Sequence, residues 1–331
     1  MRRRQFLSLL SGAAAWPGLR PGGSLAQQSA KVFRIGFLSS TAAGGQTSVM
    51  AVEAFRAGLQ ELGYQEDRNL LIEFRWADGR YERLPSLVAE LVRSNPDVIV
   101  THGTPGTLAA KRATTTIPIV MATSGDAEAS GLVASLARPG GNVTGLTFFN
   151  PELVAKRCEL LRESLPHLKE LGLLLNPANP MNEPIMPKIG LAAQALGLQV
   201  EPFGVHGPAE FDGALAAMIA KQVGAVVILD DSILIENSST LARLALQHRL
   251  ASSAWPTYAI SGGAIGYGVD FPDMFRRAAT HVDKILKGSK PTELPVERAT
   301  KFEMVVNVKT LKALAVDVPA SLLARADTVI E

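Results

Sequence analysis

The sequence predicts an α/β protein built as two doubly wound parallel-sheet lobes, and three observations carry that prediction. From Lys31 onward, short β-branched runs alternate with stretches of helical periodicity, the pattern of parallel βαβ units. The same grammar restarts at Pro151, which makes two similar lobes more economical than one large sheet. The length of 331 residues, with 47% hydrophobic and 19% charged content, suffices for two packed cores.

The first set opens with a strand over 32–38. Met50, Ala54, Phe55, Leu59 and Leu62 then recur at helical spacing until Gly63 stops the helix. A strand over 70–76 leads to a helix marked by Leu84, Leu87, Val88, Leu91 and Val92. The apolar runs 98–100 and 119–121 read as strands covered on both faces, and 143–149 ends the set. Pro151, suited to a first helical turn, starts the second set: helix 152–165, strand 171–175, helix 185–196, strand 198–202, helix 209–221, strand 225–229 and helix 239–248. Past Tyr267-Gly268 come a helix over 274–286 that closes on Lys287-Gly288, a strand over 302–307 and short C-terminal helices.

Residues 1–26 read as an export signal: basic Arg2-Arg3-Arg4, an apolar stretch from Phe6 to Trp16, and small residues at Ser24 and Ala26 for cleavage near Ala26. Arg3-Arg4-Gln5-Phe6-Leu7 resembles a twin-arginine signal, with an ordinary secretory signal as the alternative. The apolar stretch is too short for a membrane span, and no Cys lies nearby to carry lipid, so the expectation is a soluble periplasmic protein starting near Gln27. The signal holds four Arg and no acid, so the 33 Lys and Arg of the whole chain fall to 29 against 31 Asp and Glu. Such a surface lacks the electrostatic footprint of a nucleic-acid binder. The single cysteine, Cys158, excludes an intrachain disulfide and a thiolate-rich metal site.

No Gly-x-Ser-x-Gly elbow, His-Glu-x-x-His or phosphate-binding Gly-x-x-x-x-Gly-Lys-[Ser/Thr] occurs. The spacing from Gly140 to Gly145 fits the last, but Leu146-Thr147 replaces its lysine and hydroxyl. The five histidines show no metal-ligand spacing, and only His102 follows a strand end, as a ligand contact or a structural imidazole. We therefore expect no catalytic residues, metal or cofactor. What remains are polar loops at the carboxyl ends of strands, where open α/β sheets bind ligands. Ser39 and Ser40 supply hydroxyls after the first strand, and Thr104 precedes Pro105 at a helix start able to attract a carboxylate, or simply caps it. Asp230 and Asp231 follow 226–229, where either meets a ligand ammonium or caps the next turn. Asp126, Asn176, Phe148 and Tyr267 complete the expected cleft, with Phe148 or Tyr267 covering an apolar face.

Gly125-Asp126, the run Leu136-Ala137-Arg138-Pro139-Gly140-Gly141-Asn142-Val143-Thr144-Gly145 with the five residues before it, and Leu175-Asn176-Pro177 resemble ABC-transporter substrate-binding proteins related to the tryptophan-binding TrpX type. Phe275-Arg276-Arg277-Ala278-Ala279, Lys284-Ile285-Leu286-Lys287-Gly288, Leu294-Pro295-Val296 and Lys301-Phe302-Glu303 are similar to the same family, so the likeness covers nearly the whole mature chain. The sequence departs from it at Asp126-Ala127, where Asp-Pro is common, and at 229–232, where tryptophan binders carry Thr-Asp-Asn. The resemblance implies a type I periplasmic-binding-protein fold with three crossovers, expected near 146–150, 268–271 and 302–305. One lobe then spans 27–148 plus 271–303 and the other 149–270 plus 304–331. It also implies a monomer that closes around a small-molecule solute, an aromatic or amino acid, and delivers it to an ABC permease of the inner membrane. Alternatives are a ligand-sensing subunit of a signalling complex and a periplasmic hydrolase, against which the missing nucleophile and base speak.

Overall fold

The computed structural model describes residues 31–331; the export-signal reading of residues 1–26 lies outside the described residues. In chain order the elements are β1 (Phe33–Ser39), α1 (Gln46–Glu61), β2 (Leu70–Trp76), α2 (Leu84–Arg93), β3 (Val98–Thr101), α3 (Gly103–Ala113), β4 (Ile119–Met121) and β5 (Val143–Thr147). The chain continues through α4 (Asn150–Ser164), β6 (Glu170–Leu175), α5 (Asn182–Ala195), β7 (Gln199–Gly204), α6 (Pro208–Ala220), β8 (Ala225–Ile228), α7 (Ser232–Glu236) and α8 (Ser238–Gln247). It ends with β9 (Ala251–Ala254), α9 (Pro256–Ile260), β10 (Ile265–Val269), α10 (Phe271–Leu286), β11 (Glu297–Arg298), β12 (Phe302–Asn307), α11 (Val308–Ala313), α12 (Ala320–Leu323) and β13 (Thr328–Ile330).

These form a sheet of order β11-β5-β4-β3-β1-β2 and a second of order β13-β12-β10-β9-β8-β6-β7. Among the described residues every strand pairing is parallel except β10 with β12. Strands Val98–Thr101 and Ala225–Ile228, apolar but for Thr101, are buried along their whole length, as strands covered by helices on both faces must be. Helix α10 lays Phe275, Ala278, Ala279, Val282 and Ile285 against Val52, Phe55 and Leu59 of α1, returning the chain to the first lobe. Each large side chain buried there contributes roughly 1.5–3 kcal/mol. Gly145, the last residue of the Leu136–Gly145 run, has φ +129 and lies against β4, where a Cβ would collide with the Met121 carbonyl. No larger residue fits that parallel pairing.

The chain passes between the sheets three times: after β5, after β10 and after β11. The crossing segments are bonded to one another. Ala299 N–H donates to the Thr147 carbonyl at 2.9 Å and Asp270 N–H to the Lys301 carbonyl at 3.2 Å, while the Phe148 and Phe271 rings meet edge to face at 5.8 Å. The third crossing occupies residues 299–301, ahead of the stretch 302–305 expected from sequence. All of β12 is hydrogen-bonded into the second sheet, so Phe302 and Glu303 leave the first lobe.

Candidate functional site

Both sheets turn the carboxyl ends of their strands toward a cavity of about 390 Å³ between the lobes. From the first lobe it receives Ser39 at the end of β1 and Thr41 beyond it, His102 beyond β3, Thr104 on α3, and Thr123 and Ser124 beyond β4. The second lobe contributes Asp230 and Asp231 beyond β8, Glu236 on α7 and Pro256-Thr257 at the start of α9. Phe37, Trp76, Phe148, Phe271 and Phe275 form the apolar wall. Phe37 lies 5.8 Å from Phe55 and 6.3 Å from Trp76, so packing behind the wall holds its rings in place.

Five of the nine residues expected at the cleft line this cavity: Ser39, Thr104, Phe148, Asp230 and Asp231. The other four lie around it. Ser40 is wholly buried and faces Gly106, with no partner for its hydroxyl among the described protein atoms. Asp126 accepts from the Ala129 N–H at 3.0 Å and stands 3.5 Å from Lys188. Asn176 folds its carbonyl oxygen onto the Ala178 N–H and turns its amide toward Asp231. Tyr267 stacks on Phe302 at 6.5 Å between the crossing strands.

Asp230, expected to meet a ligand ammonium or to cap the next turn, has a partner inside the protein. Arg157 of α4 forks onto it, Nη1 to Oδ2 at 2.6 Å and Nη2 to Oδ1 at 3.0 Å, with the two side chains 0% and 2% exposed. The guanidinium also donates to the carbonyls of Tyr267 at 2.8 Å and Ile228 at 3.3 Å. Each carboxylate oxygen thus accepts one bond from the guanidinium, and the charge is paired from behind the wall. Arg157 was missed, yet the sequence marks it: it sits among Val154, Cys158 and Leu161, the buried stripe of α4.

Asp231 caps α7 by accepting from the Ile233 N–H at 2.9 Å, and takes further donors from Asn179 at 3.0 Å, Asn176 at 3.5 Å and the Tyr81 hydroxyl at 2.7 Å. Burial raises its pKa despite those donors, and burial with the Asp231 charge holds the Tyr81 phenol well above its ordinary range. Tyr81 belongs to the first lobe, so this bond spans the cleft, as does the Lys188–Asp126 pair. A third bridge is made by Glu236, whose carboxylate sits over the first turn of α1 against Gly45, where a Cβ would overlap it. That turn has no side-chain cap and no acid of its own, so the opposite lobe supplies the negative charge its dipole favours. Burial raises the Glu236 pKa, opposed by Ser48 and Thr47. The lobes are therefore closed on each other.

Thr104 is not the cap of α3. The helix begins at Gly103 after an extended His102, leaving the buried Thr104 and Ser124 hydroxyls without a partner among the described protein atoms. Such hydroxyls on a cavity wall are places for a solute's acceptors. His102 Nε2 lies 2.9 Å from the Ser39 hydroxyl, the separation of a nucleophile and its base. Burial holds the imidazole pKa at about 4, so it is a weak base at neutral pH, and the ring edge meets Phe275 at 5.6 Å. The pair is suited to hydrogen bonding. No group of three metal-ligating side chains occurs among the described residues, and no described helix is long and apolar enough to cross a membrane.

A crystal structure of a conserved domain protein from Vibrio cholerae O1 biovar eltor superposes with a TM-score of 0.84 at 27% identity, over 90% of this chain and 100% of that one. An ABC domain from Streptococcus pneumoniae in complex with L-Trp gives 0.83 at 26%, over 91% and 100%. A tyrosine-binding protein of Clostridioides difficile is 26% identical over 265 residues, 80% of this chain and 76% of that protein. The fold is the type I periplasmic-binding-protein fold. Residues 44–330 match the ABC transporter substrate binding proteins, a solute-binding family, and the chain belongs to it.

Proposed function

We propose that this protein is the periplasmic, non-catalytic receptor of an ABC-type importer: it closes around an aromatic, amino-acid-like solute and hands it to a permease of the inner membrane. The observation that carries this reading is a closed inter-lobe cavity with an aromatic wall on which the Thr104 and Ser124 hydroxyls lack partners. A ring of ~150–250 Å² buried at ~25 cal/mol/Å² supplies roughly 4–6 kcal/mol. Micromolar affinity needs about 8 kcal/mol beyond the entropic cost, so polar contacts must supply the rest. The hydroxyls and the start of α3 suit a solute acceptor such as a carboxylate. The tyrosine-binding relative and the L-Trp complex support the same class. Export through the N-terminal Arg3-Arg4 signal, as a monomer, completes the proposal.

Titration calorimetry and thermal melts of the mature protein with L-tyrosine, L-tryptophan and L-phenylalanine test it. Saturable binding of at least one, with a raised melting temperature, is the expected result. No heat and no shift with any of the three would overturn the solute class.

A further inference from the structure

The charges on the cavity wall are one-sided. Five carboxylates line it, from Asp230, Asp231, Glu236, Asp270 and Glu303, and no Lys or Arg is among the described lining residues. Three of the five are already engaged. Arg157 pairs with Asp230, four donors surround Asp231, and Glu236 rests by Oε1 on the first turn of α1 while its Oε2 has no partner among the described protein atoms. Asp270 and Glu303 remain, side by side where the chain crosses between lobes: Asp270 follows β10, and Glu303 on β12 pairs with Gly268 of β10.

One oxygen of Asp270 caps α10 by accepting from the Asp273 N–H at 2.9 Å, which leaves the other free of that role. The nearby cation, Lys301, bonds Asp273 at 2.6 Å, and its charge also reaches Glu303. Burial and the charges of Asp270 and Asp327 raise the proton affinity of Glu303, against the opposing charge of Lys301. Phe148 and Phe271 stand beside them on the same wall, a surface that also favours a cation. The independent sign that the cavity is built for a ligand is the pair of unpartnered hydroxyls, Thr104 at 2% exposure and Ser124 at 0%.

We propose that Asp270 and Glu303 form the subsite for the solute's cationic head, so that an ammonium group is required and a carboxylate is dispensable: primary aromatic amines bind as aromatic amino acids do. This rests on the aromatic-solute reading above. A solute carboxylate meets hydroxyls and a helix start but no cation on the described wall, so removing it costs less than removing the ammonium. Removing the ammonium takes away the cation that the half-buried Asp270 and the exposed Glu303 would share.

The test is titration calorimetry on the mature protein with three probes of one ring: L-tyrosine, tyramine and 3-(4-hydroxyphenyl)propionate, repeated with L-tryptophan, tryptamine and indole-3-propionate. The amine should bind within about tenfold of the amino acid and the des-amino acid about 100-fold more weakly or worse. In the Asp270→Asn/Glu303→Gln double variant, amine and amino acid should each weaken by about tenfold or more. Asn is itself a good helix cap, so α10 keeps its start. Glu303→Gln alone, at an exposed residue, provides the readout should the double variant not fold. A des-amino acid that binds as tightly as the amino acid, an amine that fails where the amino acid binds, or unchanged affinity in the variants would each overturn the inference and leave the aromatic-solute reading standing. Failure of all six probes would overturn both.

Discussion

Replacing Tyr81 by Phe removes one hydroxyl and keeps the ring, so its effect isolates the 2.7 Å bond to Asp231. That bond joins residues of different lobes and can exist only when the cleft is shut. Asp231 is 4% exposed, and water does not readily replace the lost donor; Asn179 stays on the same oxygen at 3.0 Å. A hydrogen bond to a buried charge contributes about 1.5–3 kcal/mol, which here is subtracted from closure alone. Ligand binding draws on the closed state, so affinity for an aromatic amino acid that binds as proposed should fall roughly 10- to 150-fold, mostly through faster release. The melting temperature of the unliganded protein should barely move, because neither lobe's core contains the bond. Calorimetry with small-angle scattering provides the assay: the variant should need more ligand to reach the same compact radius of gyration. An affinity within twofold of the parent, or a large fall in unliganded stability, would refute the claim that this bond belongs to closure.

Arg157→Leu should destabilise the protein by about 3–5 kcal/mol by stranding the buried Asp230 carboxylate, and the double change with Asp230→Leu should recover most of that in a urea melt. Gly45→Ala should displace Glu236 from α1 and weaken ligand binding about three- to tenfold, with Glu236→Ala in the same chain removing the steric part of the loss. His102, held at a pKa of about 4 against 6.5 when unfolded, contributes stability that is present above pH 6.5 and is lost as pH falls toward 4. The loss between pH 7 and 5 should be about 2 kcal/mol, and His102→Gln should flatten that limb of the urea-midpoint profile. Cys158, buried with its thiol pushed up to about 12, should resist thiol reagents until the protein unfolds.

The strands that sit between helices were plain in the sequence because burial on both faces leaves an unbroken apolar run, as at 98–100 and 225–228. Strand β9 escaped notice for the converse reason: Ala251-Ser252-Ser253-Ala254 is equally buried but built of small and hydroxylated residues, its Ser252 hydroxyl bonded to Tyr258 at 2.7 Å. Short α7 was foreshadowed only by the capping alternative left open for Asp231. The loops at strand ends could be read because topology dictates where ligands lie. Their partners could not. Tyr81 with Asp231, and Glu236 with the turn after Gly45, are more than a hundred residues apart, and nothing local to either residue announces the other. Arg157 could have been caught by asking why a charged residue occupies the apolar stripe of an otherwise ordinary helix.

The crossing segments, tied to each other through Ala299 with Thr147 and Asp270 with Lys301, act mechanically as a three-ply strap. A single tether lets two bodies swivel freely, and two still allow shear, whereas three laced side by side resist both and leave bending as the soft motion. The lobes then share essentially one degree of freedom, and the distance between any two points on their outer faces reports how far the cleft has shut. A membrane partner that touches both faces at once could gauge occupancy from that spacing without contacting the solute.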